Sequence, residues 1–554
     1  MKKHLLLLTL LLLNSSAFAQ QISPESIDTI FSEWNQTDVP GGAVAVIQNG
    51  EIVFSEGYGL ADMEHDIVIN PSTVFYIGSV SKQFVTFSIL LLEEQGKLDL
   101  DDEIQEFLPD FPKYEAPLTI RHFIHHTSGV RDYLTLMNLK GRSYLDHTEM
   151  EEAYELIKNQ DELNFTPGER YLYSNSCYLM LAMIVEKAAG MSIKEFAEKE
   201  IFSPLGMDDT QFYDDITDLV KNRAFSYSNN DDGFDNLVSR FDLVGSGGIY
   251  STVEDLYLWD QNFYDNQLGE GYQAIIDTMQ TDGKLNNGES SEYAFALVND
   301  TYRGLKTVSH SGSLAGYRAY YTRFPDQEFS VIILSNRSDG NPSSKAYQIA
   351  DLYLSDQLET EQPLSSEQTE SIEAPIPEPL NLDQVAGDYL VNASLLISFS
   401  VDQDSLMGYE HWNDAAYSLS HVEGNTYLAN DGTEVTFTFK SLEDGQTSDL
   451  VINVNGNQMR GTRADIQDLS TDDLLSYSGL YYSTELDVNY ELMLKEEKLH
   501  LKIGFNSPEE LTPIPNDEFL VGNRMLRFER DQNGELEGFR LDAGRVTNLK
   551  FMKQ

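Results

Sequence analysis

Ser79 and Lys82 stand three residues apart in Gly78-Ser79-Val80-Ser81-Lys82, at the head of an apolar, glycine-free run through Leu92. The run reads as a buried helix fed by a turn at Gly78, with Ser79 at the positive end of the helix and Lys82 one turn on, on the same face. A serine hydroxyl is a poor nucleophile until a neighbour takes its proton. An ammonium held near backbone N–H groups and partly desolvated loses affinity for its own proton and can be that neighbour. Taken singly, S-x-x-K is also the pattern of an N-cap serine followed by a solvated lysine. Tyr173 and Asn175 lie two apart after the turn Pro167-Gly168, where both can face one cleft, the phenol for proton transfer and the amide for substrate binding. The same pair also suits a packed tyrosine and a turn asparagine. In His310-Ser311-Gly312-Ser313 a strand can lie along a substrate, and Gly312 lets the backbone N–H beyond it approach closely. His122 and His126 have the i, i+4 spacing of a metal pair. No Glu lies between them, no cysteine is near, and Thr127-Ser128-Gly129 suggests a helix ending in a turn, so no metal and no organic cofactor is expected.

The elements that must position these groups follow from periodicity. Residues 41–59 alternate around Asn49-Gly50, a two-residue hairpin signal that places two antiparallel strands before the Ser79 helix. Strands are expected at 293–297, 306–309, 317–323 and 329–334, with a helix at 344–354 packing back on that sheet. The bend at residues 245–252 is glycine-rich but lacks the Lys of a phosphate loop, so it reads as backbone packing. From 355 to 380 Glu, Gln, Ser and Pro dominate, as in a linker. Beyond it the chain is strand-like and duplicated. Val385-Ala386-Gly387-Asp388-Tyr389 corresponds to Tyr477-Ser478-Gly479-Leu480-Tyr481, and Thr426-Tyr427-Leu428 to Glu518-Phe519-Leu520, both 92 residues apart. Two small antiparallel barrels are the natural reading.

With 554 residues, 41% of them hydrophobic, the chain fills two or three domains. Lys2 and Lys3, the apolar stretch Leu5 to Leu13 and Ala17-Phe18-Ala19 form an export signal with a cleavage site. The expected divisions are a signal peptide at 1–19, a catalytic domain at 22–357, a linker at 358–380, and barrels at 381–468 and 469–554. An exported, periplasmic or secreted protein without membrane insertion follows, its oligomeric state left open. Cys177 is the single cysteine, so no intramolecular disulfide forms. A net charge of -54 excludes nucleic acid and anionic membrane surfaces as partners.

Ser79-x-x-Lys82, Tyr173-x-Asn175 and His310-x-Gly312, in that order, resemble the active-site triplet of the β-lactamase-related serine hydrolases: class C β-lactamases, D-alanyl-D-alanine peptidases, D-aminopeptidases and esterases. His126-Thr127-Ser128-Gly129, Pro167-Gly168-Glu169 and Gly247-Gly248-Ile249-Tyr250-Ser251-Thr252 extend the resemblance over Ile27 to Leu354. It implies an α/β fold, an α+β sandwich in which an antiparallel sheet is flanked by helices and joined by an all-helical region, ahead of two lipocalin-like barrels. It also implies catalysis by Ser79, Lys82 and Tyr173, with Lys82 favouring tyrosinate at Tyr173. The backbone N–H groups of Ser79 and Ser313 would form the oxyanion hole, Asn175, His310, Ser311 and Gly312 would bind substrate, and His310 would hold a substrate carboxylate or assist Tyr173. His310 stands where β-lactamases usually have lysine. The leading reading is therefore a peptidase or amidase on D-amino-acid peptides. A carboxylesterase, a weak β-lactamase, or a cell-wall peptide-binding or β-lactam-sensing module without turnover are the alternatives.

Overall fold

The structure is a computed structural model describing residues 22–554 apart from 144, 231, 272, 360–379, 392–394, 414, 431–434, 444 and 455–456. The expected signal peptide, and all of the expected linker but its ends, lie outside the described residues.

A six-stranded antiparallel sheet runs in the order Val298–Tyr302, Leu305–Leu314, Tyr317–Phe324, Phe329–Ser335, Gly42–Gln48, Glu51–Tyr58. The two-residue alternation of its inner strands feeds two cores. Ala43, Ala45, Ile47, Ile332 and Leu334 face the large core built with the helix Lys82–Glu94. Val44, Val46, Val331 and Ile333 face a smaller one closed by Ile27, Phe31, Trp34 and the helix Pro342–Tyr353. The hairpin between Gly42–Gln48 and Glu51–Tyr58 turns through Asn49 and Gly50, both with positive φ (52° and 77°), the geometry that asparagine-glycine favours.

Every residue from Lys82 to Leu92 is buried, the polar Lys82, Gln83, Thr86 and Ser88 as well as the apolar residues that dominate the stretch. It packs against the helix Asn175–Ala189, likewise mostly buried, within a helical region that also holds Ile120–Ile124, Tyr133–Leu139 and Met150–Lys158. One expected strand is absent. Residues 293–297 form an irregular segment, with Glu292 and Ala296 at positive φ, and all five side chains are buried. Side chains buried in succession fill core rather than alternate across a sheet, and the strand begins at Val298 instead.

The C-terminal third is two β-barrels. The first closes fully through eight strands, from Gly387–Val391 to Asn457–Arg463, which pair with each other. The second has nine strands and a seam between Glu509–Glu510 and Thr512–Ile514, where Leu511 N donates to Leu499 O (2.8 Å). The duplication reaches single hydrogen bonds. Tyr389 Oη donates to Val385 O (2.9 Å) and Tyr481 Oη to Tyr477 O (2.7 Å), each four residues back.

The second barrel is not a loose appendage. Its inner residues Tyr481, Tyr490, Phe539 and Phe551 join the same apolar core as the helical region, and Tyr490 Oη donates to Leu139 O (2.6 Å). At the joint, Arg131 is paired with Glu485 (2.5 Å), the two side chains being 0% and 4% exposed, and donates to Gln160 Oε1 and to Thr547 O. Glu485 also accepts from Asp161 N (3.0 Å). Leu396 of the first barrel packs on Ile514, Leu520 and Met525 of the second.

A buried pair of this kind costs most when one partner is removed. Glu485→Gln is expected to destabilise the protein by about 3–5 kcal/mol, read from the urea midpoint, and replacing both Arg131 and Glu485 by Met should cost less. A single-variant effect under about 1 kcal/mol, the range of exposed pairs, would show that the pair does not hold the joint.

Candidate active site

Ser79 sits in a tight 3-10 turn, Gly78–Ser81, that runs directly into the helix Lys82–Glu94. Gly78 has φ +55°, and a Cβ there would collide with the backbone of Gly312 and Ser313; a Cβ on Gly312 would collide with Ile77 O. These two glycines let the strand Leu305–Leu314 lie directly on the turn, so the backbone N–H groups of Ser79 and Ser313 come to neighbouring positions at one cleft.

Lys82 is fully buried. Its Nζ lies 3.1 Å from Ser79 Oγ, 3.0 Å from Asn175 Oδ1 and 2.5 Å from Ser246 O. Burial, and then the charge of Arg545, depress its pKa well below the usual lysine value, against the opposing pull of Asp132. A neutral amine has two N–H donors and one lone pair. The carbonyls of Asn175 and Ser246 take the two donors, and the lone pair is left for the Ser79 hydroxyl. The glycine-rich bend, which reads from sequence as backbone packing, thus also serves the lysine, since Gly245 and Gly248, both at positive φ, flank the carbonyl offered to Lys82.

Asn175 is aimed by Asp132, whose Oδ2 accepts from Asn175 N (2.7 Å) and Nδ2 (2.9 Å), while its Oδ1 caps the helix Tyr133–Leu139 through Thr135 N (3.0 Å). Tyr173 lines the same cleft as Ser79, whose side chain lowers the phenol's pKa, and Lys82 Nζ lies 4.9 Å from its ring centre. Burial raises the phenol pKa well above its ordinary value, outweighing the lowering by Ser79 and Arg545. The expected tyrosinate is therefore corrected: Tyr173 is a protonated phenol, because desolvation penalises its anion more than nearby positive charge rewards it.

His310 also departs from expectation. Its Nδ1 lies 2.7 Å from Ser311 O and its Nε2 2.9 Å from Tyr293 Oη, and burial pushes its pKa down to about 4. It is a neutral imidazole with both nitrogens engaged, Nδ1–H donating to the carbonyl and Nε2 accepting from the phenol. It carries no charge for a substrate carboxylate. Ser311 and Ser313 are exposed on the cleft wall, with buried Gly312 between them.

His122 and His126 do not act as a pair. The helix ends at Ile124, His122 Nδ1 is engaged with Thr119, and His126, at φ +55°, accepts from Ser174 N (3.1 Å) and lies with its ring 4.1 Å from that of Tyr173. Among the described residues no group of three His, Cys, Asp or Glu could hold a metal ion. Cys177 is a free, buried thiol, its pKa raised to about 11 by burial.

Sequence reasoning missed Asp132, Tyr293, Ser246 and Arg545, and it weighed His126 only as half of a metal pair and as part of a turn. Asp132 precedes a helix and could have been read as its cap. Arg545 follows Gly544 at the tip of the hairpin Leu536–Ala543/Val546–Lys553 of the second barrel, and its guanidinium sits 4.7 Å from the centre of the Tyr173 ring. The cleft over these groups measures about 1350 Å³ and is also walled by Tyr171, Phe241 and Tyr293, and by Thr436 and Asn453 of the first barrel.

A profile of the Beta-lactamase family matches residues 27–354. Penicillin-binding protein 4* of Bacillus subtilis is 30% identical over 342 residues, 59% of this chain and 75% of that protein. The D-aminopeptidase of Brucella anthropi is 30% identical over 328 residues, covering 57% of this chain and 59% of the relative, so the match spans little more than half of that enzyme. Among solved structures, the octameric penicillin-binding protein homologue from Pyrococcus abyssi aligns with 87% of this chain and 98% of its own, at TM-score 0.56 and 22% identity, a likeness of fold. Matched by the family profile over more than half of its length, and by a relative across three quarters of that relative's length, the chain belongs to the Beta-lactamase family and is a serine hydrolase.

Proposed function

We propose that the protein is an exported hydrolase that cleaves small D-amino-acid-containing peptides or amides through an acyl-enzyme on Ser79. The observation that carries this reading is the set of contacts at Lys82 Nζ, 3.1 Å from Ser79 Oγ and 3.0 and 2.5 Å from two carbonyl oxygens, which as a free amine would give its two N–H groups to the carbonyls and turn its lone pair to Ser79 Oγ. The D-aminopeptidases among its relatives support an amide substrate. Export is supported by the character of residues 1–19.

In the reaction, Lys82 Nζ accepts the Ser79 proton as Oγ attacks the substrate carbonyl. The backbone N–H groups of Ser79 and Ser313 receive the oxyanion, each donor contributing about 3 kcal/mol to the transition state. Tyr173 gives its phenol proton to the leaving nitrogen and is reprotonated from the Lys82 ammonium, which restores both groups. Water then attacks the ester, its proton taken by the same pair, and Ser79 recovers its hydrogen. Asn175, held by Asp132, offers its amide to the substrate backbone.

Two outcomes test the assignment. A fluorophosphonate or penicillin probe should label the wild-type protein covalently and leave Ser79→Ala unlabelled; equal labelling of both would remove Ser79 from the chemistry. On an amide substrate, kcat/KM should fall as pH drops through the depressed pKa of Lys82, because protonation fills the lone pair that the serine needs. The alkaline limb should lie above the ordinary phenol range, because Tyr173 must keep its proton and burial raises its pKa. His310→Gln should leave the acid limb in place. An acid limb that disappears in that variant would assign it to His310, which titrates near 4, and not to Lys82.

A further inference from the structure

Arg545 is the one Arg or Lys among the described residues lining the cleft. Its place is fixed by backbone bonds on both sides of the hairpin tip: Asn164 Nδ2 donates to Arg545 O (2.9 Å) and Asn164 Oδ1 accepts from Thr547 N (2.8 Å). The guanidinium lies over the Tyr173 ring and is 43% exposed to the cleft. Its nearest carboxylate is Asp132 Oδ2 at 3.8 Å, beyond hydrogen-bond length. Asp132 is already occupied, accepting from Asn175 N and Nδ2 and from Thr135 N and Oγ1. A guanidinium stacked by its face on an aromatic ring keeps its in-plane N–H fork for an acceptor, and the acceptor that matches the fork is a carboxylate.

The other charges on the cleft wall are Asp300 and Asp351, on the strand Val298–Tyr302 and the helix Pro342–Tyr353, and Asp351 is paired with Arg303 (2.7 Å), so neither offers a positive charge to an anion. His310, neutral and doubly engaged, contributes no positive charge. In a chain of net charge -54 this leaves Arg545 as the one Arg or Lys among the described residues lining the cleft, and no carboxylate among them hydrogen-bonds it.

We propose that Arg545, delivered by the second barrel, is a specificity-determining residue that binds a carboxylate carried by the substrate near the scissile bond. The enzyme then prefers acyl donors or leaving groups bearing a carboxylate over substrates presenting a free amine. The inference rests on the serine acyl-transfer reading above and names the substrate class within it. It also gives the second barrel a direct part in substrate choice.

The test uses the full chain as wild type, Arg545→Ala, Arg545→Lys and Ser79→Ala. Two matched pairs separate the two places where a carboxylate could sit: N-acetyl-D-alanyl-D-alanine against its C-terminal amide, and the glutaryl against the valeryl ester of p-nitrophenol. Wild type should favour the acid in one pair by at least about 10-fold in kcat/KM, a charge-assisted, bidentate contribution, and the pair that responds tells which side of the bond carries the anion. Arg545→Ala should collapse the acid-to-neutral ratio of kcat/KM towards one, whatever change is common to both members of the pair, and Arg545→Lys should retain part of the preference. Any of three results overturns the proposal: no preference for the acid in either pair, a preference unchanged in Arg545→Ala, or an equal fall for both members of a pair. Hydrolysis persisting in Ser79→Ala overturns the acyl-enzyme reading instead, and the acid-to-neutral ratio at Arg545 is read independently of it.

Discussion

Lys82 is taken wholly out of water, and a charged ammonium at such a position costs several kcal/mol unless it is matched by an anion with good geometry. Nothing touching Nζ is an anion. Its partners are a hydroxyl, an amide oxygen and a backbone carbonyl, and it lies at the positive end of a helix with Arg545 nearby. The cheapest state is the free amine, which is the state a nucleophilic serine needs in its neighbour. Much of the surrounding structure serves to keep that amine dry and aimed. Asp132 turns Asn175, paired positive-φ glycines turn the Ser246 carbonyl inward, and Tyr133 Oη meets Ser246 Oγ at 3.0 Å.

The second requirement is contact between two backbones with no side chain in the way. The strand Leu305–Leu314 belongs to the sheet, the Ser79 turn belongs to the helical region, and in the proposed reaction the substrate carbonyl would meet N–H groups from both. Glycine at 78 and at 312 is what sterics demand there, since a methyl group on either would strike the backbone packed against it. The catalytic cleft is thus the seam between sheet and helices, and its geometry depends on how these two layers are packed. The second barrel shares the large core on the helical side, so the joint at Arg131 and Glu485 belongs to the same packing problem.

Legibility tracked locality. Ser79 and Lys82 could be read because three residues of one turn fix their relation, and the asparagine-glycine hairpin because two residues dictate its backbone. Tyr173, Asn175 and His310 could be singled out only through their order and resemblance, because the fold brings them to Ser79 from separate elements. The errors have physical sources. Residues 293–297 are apolar without alternation, a pattern equally suited to a strand and to an irregular buried plug. The tyrosinate expectation weighed a neighbouring charge without the burial that outweighs it. Arg545 left no trace, for its only local mark is the turn glycine before it, and a barrel hairpin says nothing about which cleft its tip will enter.

The electrostatics of the cleft also depend on what occupies it. Arg545 opposes a proton on Lys82 and Asp132 favours one, while burial, the largest influence, lowers the amine's pKa well below its ordinary value. The proposed acylation would ask that amine to become an ammonium for the lifetime of a proton transfer. A carboxylate seated on Arg545 would cancel the opposing charge while leaving Asp132 in place, raising the proton affinity of Lys82 at the moment the serine proton must move. Binding and base strength would then be coupled through one guanidinium, and a neutral substrate of equal shape would find the same nucleophile beside a weaker base. Because that guanidinium comes from the second barrel, the barrel's docking would set the chemistry of the site as well as its walls.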